Sequence, residues 1–187
     1  MAPDTTTPRP VSYSRVTIVE LMIPAFANFG GKVHGGTLLS LMDKVAYACA
    51  AKHSGGYCVT AAVDKVEFLQ PVQVGELVSL AASVNYVGRS SLVVGIRVTA
   101  ENVETGTVKH TNTSYFTMVA KDPDGRPREV PPLLLENKED LRRCLEAIRR
   151  KEIKLQFQDE FDNEKSKLRT EGGLELLKQE RVVIGYT

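Results

Sequence analysis

The sequence predicts an α+β fold in which an antiparallel β-sheet packs on one long central helix. Three observations lead to this prediction: one strong helical pattern early in the chain, several β-prone segments after it, and the short hairpin-like connections between those segments. The chain has 187 residues, which suits a single domain with a modest extension.

The central helix is predicted between Val33 and His53. Apolar residues recur there with the spacing of a helix buried along one face: Leu38, Leu41, Met42, Val45, Ala46 and Cys49. Asp43 lies about 130° from the centre of this stripe at 3.6 residues per turn. It therefore points away from the core of its own chain, on a face shared with Gly36, Ser40 and Tyr47.

Strands are predicted on both sides of the helix. One lies near Arg15 to Met22, and another runs from Val59 to Phe68. Residues 78–86 and 92–100 alternate in polarity around the turn Gly88-Arg89-Ser90, which indicates an antiparallel hairpin. A last β-prone run covers residues 107–120.

Three regions follow from this reading. Residues 1–11, rich in Thr and Pro, are expected to form a flexible arm, and residues 12–132 form the α+β domain. Pro131 and Pro132 close the domain because proline cannot continue a central strand or enter a helix interior. Residues 133–187 are expected to form a charged helical extension, with Asn137 as the helix cap.

Composition argues against several functional classes. Apolar residues are 42% and charged residues 25%, and the formal net charge of +1 gives no general attraction to nucleic acid or to an anionic membrane. No apolar run approaches the roughly 20 residues of a membrane helix. The three cysteines do not form a disulfide framework or a metal site, so we expect reduced thiols, a cytoplasmic location and no metal.

The segment from Asn28 to Asp43 is the most informative for chemistry. Its glycines, at 30, 31, 35 and 36, let the backbone approach a ligand closely where the helix begins. The free N–H groups of a helix N-terminus suit a developing oxyanion. On spacing alone, however, a solvated surface carboxylate at Asp43 and a turn residue at Asn28 remain the simpler interpretations.

Several short motifs in residues 12–132 occur together: Asn28 with Gly30-Gly31, His34-Gly35-Gly36, Leu41-Met42-Asp43, Val63-Asp64-Lys65-Val66 with Phe68, Pro71, Gly75-Glu76, Gly88-Arg89-Ser90-Ser91, and Thr113-Ser114-Tyr115-Phe116-Thr117-Met118-Val119. In this combination and order the chain resembles the hotdog-fold acyl-CoA thioesterases, especially the YciA-like and brain-type acyl-CoA hydrolase group. The resemblance implies a single hotdog domain that hydrolyses fatty acyl-CoA without a cofactor.

The resemblance also implies roles for individual residues. Asp43 is expected to act as general base or nucleophile, and Asn28, from the partner subunit, to position the water or the thioester. Backbone N–H groups at His34, Gly35 and Gly36 would polarise the thioester carbonyl, with the His34 side chain in a supporting role. Such relatives form dimers and often trimers of dimers, so a hexamer is expected.

Substrate contacts are expected at two further places. Thr60 would line the thioester pocket, and Arg89, Ser90 and Ser91 would contact the phosphates of coenzyme A. A β-prone threonine and a solvated turn arginine need no such role. His53 and His110 are interpreted as structural.

Two other functions remain open at this stage. Hotdog-fold hydratases and dehydratases act on acyl thioesters through a histidine and an acid, and an acyl-CoA-sensing module would bind without turnover. The spacing of Asn28 and Asp43 and the His-Gly-Gly helix start favour hydrolysis, and the presence of Asp43 argues against a sensor.

Overall fold

A computed structural model of the chain describes residues 5–168, 174 and 176–185. The chain divides into two compact units between Leu145 and Glu146. The elements of the first unit follow in chain order: β1 (Arg9–Pro10), α1 (Val11–Ser14), β2 (Val16–Leu21), a 3-10 turn (Pro24–Phe26), α2 (Gly35–Ser54), β3 (Cys58–Val63), β4 (Glu76–Val87), β5 (Ser91–Asn102), β6 (Val108–Ala120), β7 (Leu133–Leu134) and the start of α3 (Lys138–Leu168).

Five strands form one antiparallel sheet in the order β2-β4-β5-β6-β3. The long helix α2 packs on one face of this sheet, and the core lies between them. The prediction of an antiparallel sheet on one central helix is therefore confirmed. Strands β2 and β3 are the two edges of the sheet.

Helix α2 has a capping residue at each end, His34 at the start and Gly55 at the end. The His34 side chain caps the start, and Gly55 ends the helix with a φ of 73°, in the left-handed region that glycine adopts without strain. The apolar residues predicted for the core face are all buried. Asp43 and Tyr47 are exposed on the opposite side, as the helical spacing predicts.

Strand β3 is shorter than predicted. It ends at Val63 after a register shift between Thr60 and Ala62, although the sequence pattern extends to Phe68. Beyond it the chain stays beside β6 through single backbone hydrogen bonds, such as that from the Leu69 amide to the Thr111 carbonyl. The Phe68 ring packs over Gly35, about 3.4 Å from where a Cβ on that glycine would lie.

The N-terminal arm differs from the expectation of flexibility at its last residues. Arg9 and Pro10 pair in parallel with Leu133 and Leu134, and Val11 is buried. The Arg9 guanidinium also donates to the His53 carbonyl at 2.6 Å. These contacts join Arg9 to residues 44 and 124 positions further along the chain, which local composition does not reveal.

Helix α3 begins as predicted, with the Asn137 side chain accepting from the Asp140 amide at 2.9 Å. In the second unit α3 continues to Leu168, and a 3-10 turn covers Leu176–Gln179. Parts of the predicted extension, at 169–173, 175 and 186–187, lie outside the described residues. Among the helices that are described, none combines the length and the apolar character needed to span a bilayer.

Candidate active site

Asp43 is held by a hydrogen bond from the edge strand. Thr60 Oγ1 donates to Asp43 Oδ1 at 2.5 Å and also lies 3.4 Å from the Met118 sulfur. Asp43 and Thr60 are both exposed in the single chain. They border an open groove of about 430 Å³ whose lining residues come from α2 and β3: Asp43, Lys44, Tyr47, Tyr57, Cys58, Val59 and Thr60.

Two tyrosines form the apolar part of this groove. Tyr47 lies one turn after Asp43, Tyr57 precedes β3, and their ring centroids are 6.3 Å apart. Cys58 is buried, and its burial raises the pKa of the thiol. A thiol kept protonated in this way is a poor nucleophile. Cys58 is therefore not a candidate nucleophile for the groove.

The start of α2 shows which backbone amides are free to act. The His34 Nδ1 accepts from the Gly36 N–H at 2.9 Å, so His34 is the capping residue of the helix. This bond occupies one of the two glycine amides expected to polarise the carbonyl. Among the hydrogen bonds of the described residues, none uses the Gly35 N–H.

Asn28 is not joined to Asp43 within the chain. Its side-chain oxygen accepts from the amides of Gly30 and Lys32, at 2.9 and 3.1 Å, which shapes a tight loop. The loop is attached to Gln73, just before β4, through a backbone bridge from Lys32. Asp43 is attached instead to β3, and among the described residues no hydrogen bond or ion pair joins Asn28 to Asp43.

The Arg89 turn lies at the same end of the sheet as Thr60. Ser91 and Val59 are both register partners of Val119, from opposite sides of β6. Two strand spacings of about 4.8 Å therefore separate them, or roughly 10 Å. An extended ligand can reach from the Asp43 groove to this turn.

Arg89 is paired with a residue that the sequence reasoning missed. Its Nε donates to Glu129 Oε1 at 2.8 Å, and both side chains are exposed. These two residues, with Ser90 and Pro127, line a second groove of about 330 Å³. Glu129 follows the Pro123-Asp124-Gly125 turn and has no local signal that would connect it to Arg89. Tyr57 was also missed, because no pattern in the neighbouring residues connects it to the Asp43 groove.

His53 and His110 make structural contacts. The buried His53 ring lies 3.4 Å from Ser14 Oγ and 3.2 Å from the Pro131 carbonyl. The His110 Nε2 lies 2.9 Å from both the Asn112 carbonyl and Thr113 Oγ1. Within the described part of the chain, no three His, Cys, Asp or Glu residues are grouped to hold a metal ion.

A five-stranded antiparallel sheet around one long helix, with an acid on the outer face of that helix, defines a hotdog-fold protein with a candidate acid–base site. The sequence model described as the thioesterase superfamily matches residues 30–107. The chain belongs to this superfamily, since curated relatives also match most of its length.

Two curated bacterial proteins are similar over the α+β domain. Protein VdlD of Helicobacter pylori is 43% identical over 134 residues, which cover 72% of this chain and 76% of VdlD. The uncharacterized acyl-CoA thioester hydrolase YkhA of Bacillus subtilis is 34% identical over 137 residues, which cover 73% of this chain and 80% of YkhA.

Solved structures share the fold at 28–34% sequence identity. An apo-hexameric acyl-CoA thioesterase is 34% identical with a TM-score of 0.79, covering 81% of this chain and 97% of its own. An acyl-CoA hydrolase of Staphylococcus aureus with alanine at Asp43 is 28% identical with a TM-score of 0.76, covering 87% of this chain and 99% of its own. Variants of the same hydrolase at Asn28 and Thr60, in that protein's numbers, have also been solved.

Proposed function

We propose that the protein hydrolyses fatty acyl-CoA to a free fatty acid and coenzyme A, with Asp43 as the central catalytic residue. The observation that carries this proposal is the Thr60–Asp43 pair, which fixes a carboxylate on the outer face of α2 beside an open groove. Membership of the thioesterase superfamily and the acyl-CoA hydrolases among its relatives support the same reaction.

Asp43 acts either as general base or as nucleophile. As a base it takes a proton from water while the water oxygen attacks the thioester carbonyl carbon. The tetrahedral intermediate then collapses, the carbon–sulfur bond breaks, and the thiolate of coenzyme A leaves and is protonated. Thr60 donates to one carboxylate oxygen and so leaves the other directed at the water or the carbonyl.

The Gly35 N–H is the proposed donor to the developing oxyanion. It is at the first turn of the 20-residue helix α2, where the helix dipole also favours negative charge. Gly36 contributes indirectly, since its own N–H is held by His34. His34 therefore orients the helix start and takes no proton in this scheme.

The coenzyme A moiety is proposed to extend from the groove to the Arg89 turn. Arg89 binds a phosphate by a charge-assisted hydrogen bond, with the Ser90 and Ser91 hydroxyls beside it. The exposed Glu129 carboxylate competes for the same guanidinium. An exposed ion pair of this kind contributes little stability, so a phosphate can displace it.

The second half of the site is proposed to come from another chain. Strand β3 is an edge with unpaired backbone groups, and the Asp43 groove opens beside it. A second copy paired along this edge would cover the groove and bring its own Asn28 to position the water or thioester. Further association into a trimer of dimers is in keeping with the relatives described as hexameric.

The variants solved for the Staphylococcus aureus hydrolase support the choice of residues. They replace an asparagine, an aspartate and a threonine that have the same numbers and types as Asn28, Asp43 and Thr60 here. The free thiols of Cys49, Cys58 and Cys144 are in keeping with the reducing cytoplasm that we propose as the location.

Release of free thiol from a panel of fatty acyl-CoAs tests the proposal. We expect steady turnover by the unaltered protein and a loss of at least about a hundredfold in Asp43→Asn and Asp43→Ala, the usual scale for a positioned base. The circular dichroism spectrum should be unchanged, because Asp43 is exposed. Near-normal thiol release by a folded Asp43→Ala protein would overturn the assignment.

The same assay separates the two competing functions. A hydratase would add water to an enoyl-CoA without releasing thiol, and a sensor would bind acyl-CoA without changing it. No observation in the structure favours either one. The His34 ring that a hydratase would need is engaged as the helix cap.

A further inference from the structure

Strand β6 has two polar side chains on the face that packs against α2. Asn112 and Ser114 are 1% and 0% exposed. They continue the strand face on which Phe116 belongs to the core, since side chains two residues apart lie on the same side of a strand. Their register partners on β5, Val98 and Ile96, are also core residues. An amide and a hydroxyl therefore lie next to each other in an apolar layer.

Neither side chain has a hydrogen-bond partner in the described part of the chain. The unpaired atoms are Asn112 Oδ1, Asn112 Nδ2 and Ser114 Oγ, and all three are buried. The hydroxyl of the neighbouring buried Thr111, by contrast, donates to the Val98 carbonyl at 3.1 Å. Buried polar groups are almost always paired, with protein or with ordered water, because an unpaired one costs free energy. Three unpaired atoms at neighbouring positions therefore indicate that a ligand binds here.

The sheet is open beside these two residues. Two backbone hydrogen bonds of 2.9 Å flank the opening, from the Asp64 amide to the Tyr115 carbonyl and from the Leu69 amide to the Thr111 carbonyl. Between these bonds the four residues 65–68 lie opposite the three residues 112–114. Among the backbone hydrogen bonds of the described residues, none joins these two segments. The longer segment bows away from β6, which leaves room beside Asn112 and Ser114.

The chemistry of the unpaired atoms defines the ligand. The Asn112 Nδ2 atom only donates, the Oδ1 atom only accepts, and the Ser114 hydroxyl does either. A metal ion would leave the amide hydrogens unpaired, and an anion would leave Oδ1 unpaired. Water donates and accepts at once, and a buried water typically makes about three hydrogen bonds to groups of this kind. Water is therefore the ligand that fits all three atoms.

We propose that Asn112 and Ser114 bind ordered water in a closed hydration site between β6, residues 65–68 and α2. The site is on the core side of α2, whereas Asp43 is on the exposed side of that helix. The bound water is therefore separate from the water that reacts in the proposed hydrolysis. Its presence does not depend on the proposed function.

A crystal structure of the unaltered protein, at a resolution that shows ordered water, tests the site directly. We expect a water in every protomer within about 3.2 Å of Ser114 Oγ and of one amide atom of Asn112. In Ser114→Ala the same water should be displaced or absent. A site without water in the unaltered protein, or side chains that pair with protein atoms instead, would overturn the proposal.

The sign of a stability change tests the site in solution. If water pairs with Ser114, Ser114→Ala removes a hydrogen bond and should lower Tm by about 2–4 °C at one protein concentration. If the hydroxyl is unpaired, the same change removes a costly buried group and Tm rises. Thr111→Val removes a hydroxyl that is paired with protein and is the matched control, with a similar fall expected. A Tm for Ser114→Ala equal to or above that of the unaltered protein contradicts the proposal.

A double-mutant cycle tests whether the two side chains share the water. In Asn112→Leu the larger apolar side chain takes the place of the water and leaves the Ser114 hydroxyl unpaired. Adding Ser114→Ala to this background should therefore raise Tm, although the same change lowers Tm in the unaltered protein. An equal fall in both backgrounds would show that Asn112 and Ser114 do not bind a common water.

Discussion

At the scale of single residues, the proposed site depends on how one carboxylate is oriented. Asp43 is on a solvent-facing side of α2, where a free side chain would sample several rotamers. The hydrogen bond from Thr60 selects one of them and connects the helix to the edge strand. We therefore propose Thr60 as a positioning residue for Asp43.

Thr60→Val tests this role, because it keeps the branched shape and removes only the hydroxyl. We expect kcat to fall about tenfold, since a hydrogen bond to a charged group contributes roughly 1.5–3 kcal/mol and the lower end applies to an exposed pair. Thr60→Ser retains a hydroxyl donor and should keep most of the activity. Steady-state thiol release measures both variants, and equal rates for Thr60→Val and the unaltered protein would refute the positioning role.

At the scale of elements, the β4–β5 turn is the proposed binding site for coenzyme A. Arg89→Ala should raise KM about tenfold and leave kcat within about twofold, because it removes binding that is equal in the ground and transition states. Arg97→Ala, an exposed arginine on β5, is the matched control and should change neither constant. If KM is unaltered in Arg89→Ala, the residue is only a solvated charge.

A change at Glu129 should have the opposite effect on KM to the change at Arg89. Its carboxylate is 2.8 Å from Arg89 Nε and competes with a phosphate for it. Glu129→Gln should lower KM by about twofold to fivefold, and the effect should shrink at high salt, where exposed charges are screened. A higher KM in this variant would show that Glu129 holds Arg89 in its binding position.

The junction of α1, α2 and the Pro131 loop is expected to be sensitive to acid. Burial lowers the pKa of His53 below its ordinary value of 6.5, opposed by the hydrogen bond to the Pro131 carbonyl, and the Arg9 charge lowers it further. The unfolded chain therefore binds a proton before the folded chain does. The free energy of unfolding should fall as pH drops below about 6.5, by at most about 1.4 kcal/mol per pH unit for one proton.

Urea unfolding at pH 7.5 and pH 5.5, at one protein concentration, measures this dependence. His53→Gln should be less stable at pH 7.5 but should lose less on acidification than the unaltered protein. His110→Gln, which changes a histidine outside the core, is the control and should keep the full loss. An equal loss in His53→Gln and the unaltered protein would assign the acid sensitivity to other groups.

At the scale of the whole molecule, the proposed active site requires two chains. Asn28 is attached beside Gln73, before β4, and Asp43 is attached to β3 at the sheet edge. The single chain leaves the Asp43 groove open to solvent on the side where a second copy would pair. Light scattering should therefore find at least a dimer, and a hexamer if trimers of dimers form.

Mixing two inactive variants tests whether the site is shared. Asp43→Ala and Asn28→Ala proteins should each be inactive, and subunit exchange between them should restore activity. In free random exchange about half of the dimers are hybrids, and each hybrid has one intact and one doubly altered site. Activity should approach about a quarter of the unaltered value. Verified exchange without recovery would show that the two residues do not act together across chains.

Much of the fold could be predicted because its patterns are local. The helical spacing of buried residues and the exposure of Asp43 follow from 3.6 residues per turn, whichever segment packs against the helix. The β4–β5 hairpin has alternating strands and a glycine turn within 27 residues. The helix cap at Asn137 is equally local, since donor and acceptor are three residues apart.

Other features depend on segments that meet only in the folded chain. The end of β3 at Val63, the pairing of Arg9 with Leu133 and the ion pair of Arg89 with Glu129 have no signal in the neighbouring residues. The hydrogen bond from the Gly36 amide to His34 is local in the sequence. The sequence motif still does not predict that the Nδ1 atom of His34 accepts it.

The sequence by itself determined the fold class, the family resemblance and the direction in which Asp43 points, because periodicity and short motifs are properties of consecutive residues. Only the tertiary structure decided that Thr60 holds Asp43, that Gly35 has the available amide, and that Asn28 is attached elsewhere in the same chain. The Thr60–Asp43 bond and the Lys32–Gln73 bridge join segments that are distant in the sequence and depend on strand register, whereas the Gly36–His34 bond is local and depends on the orientation of the His34 ring.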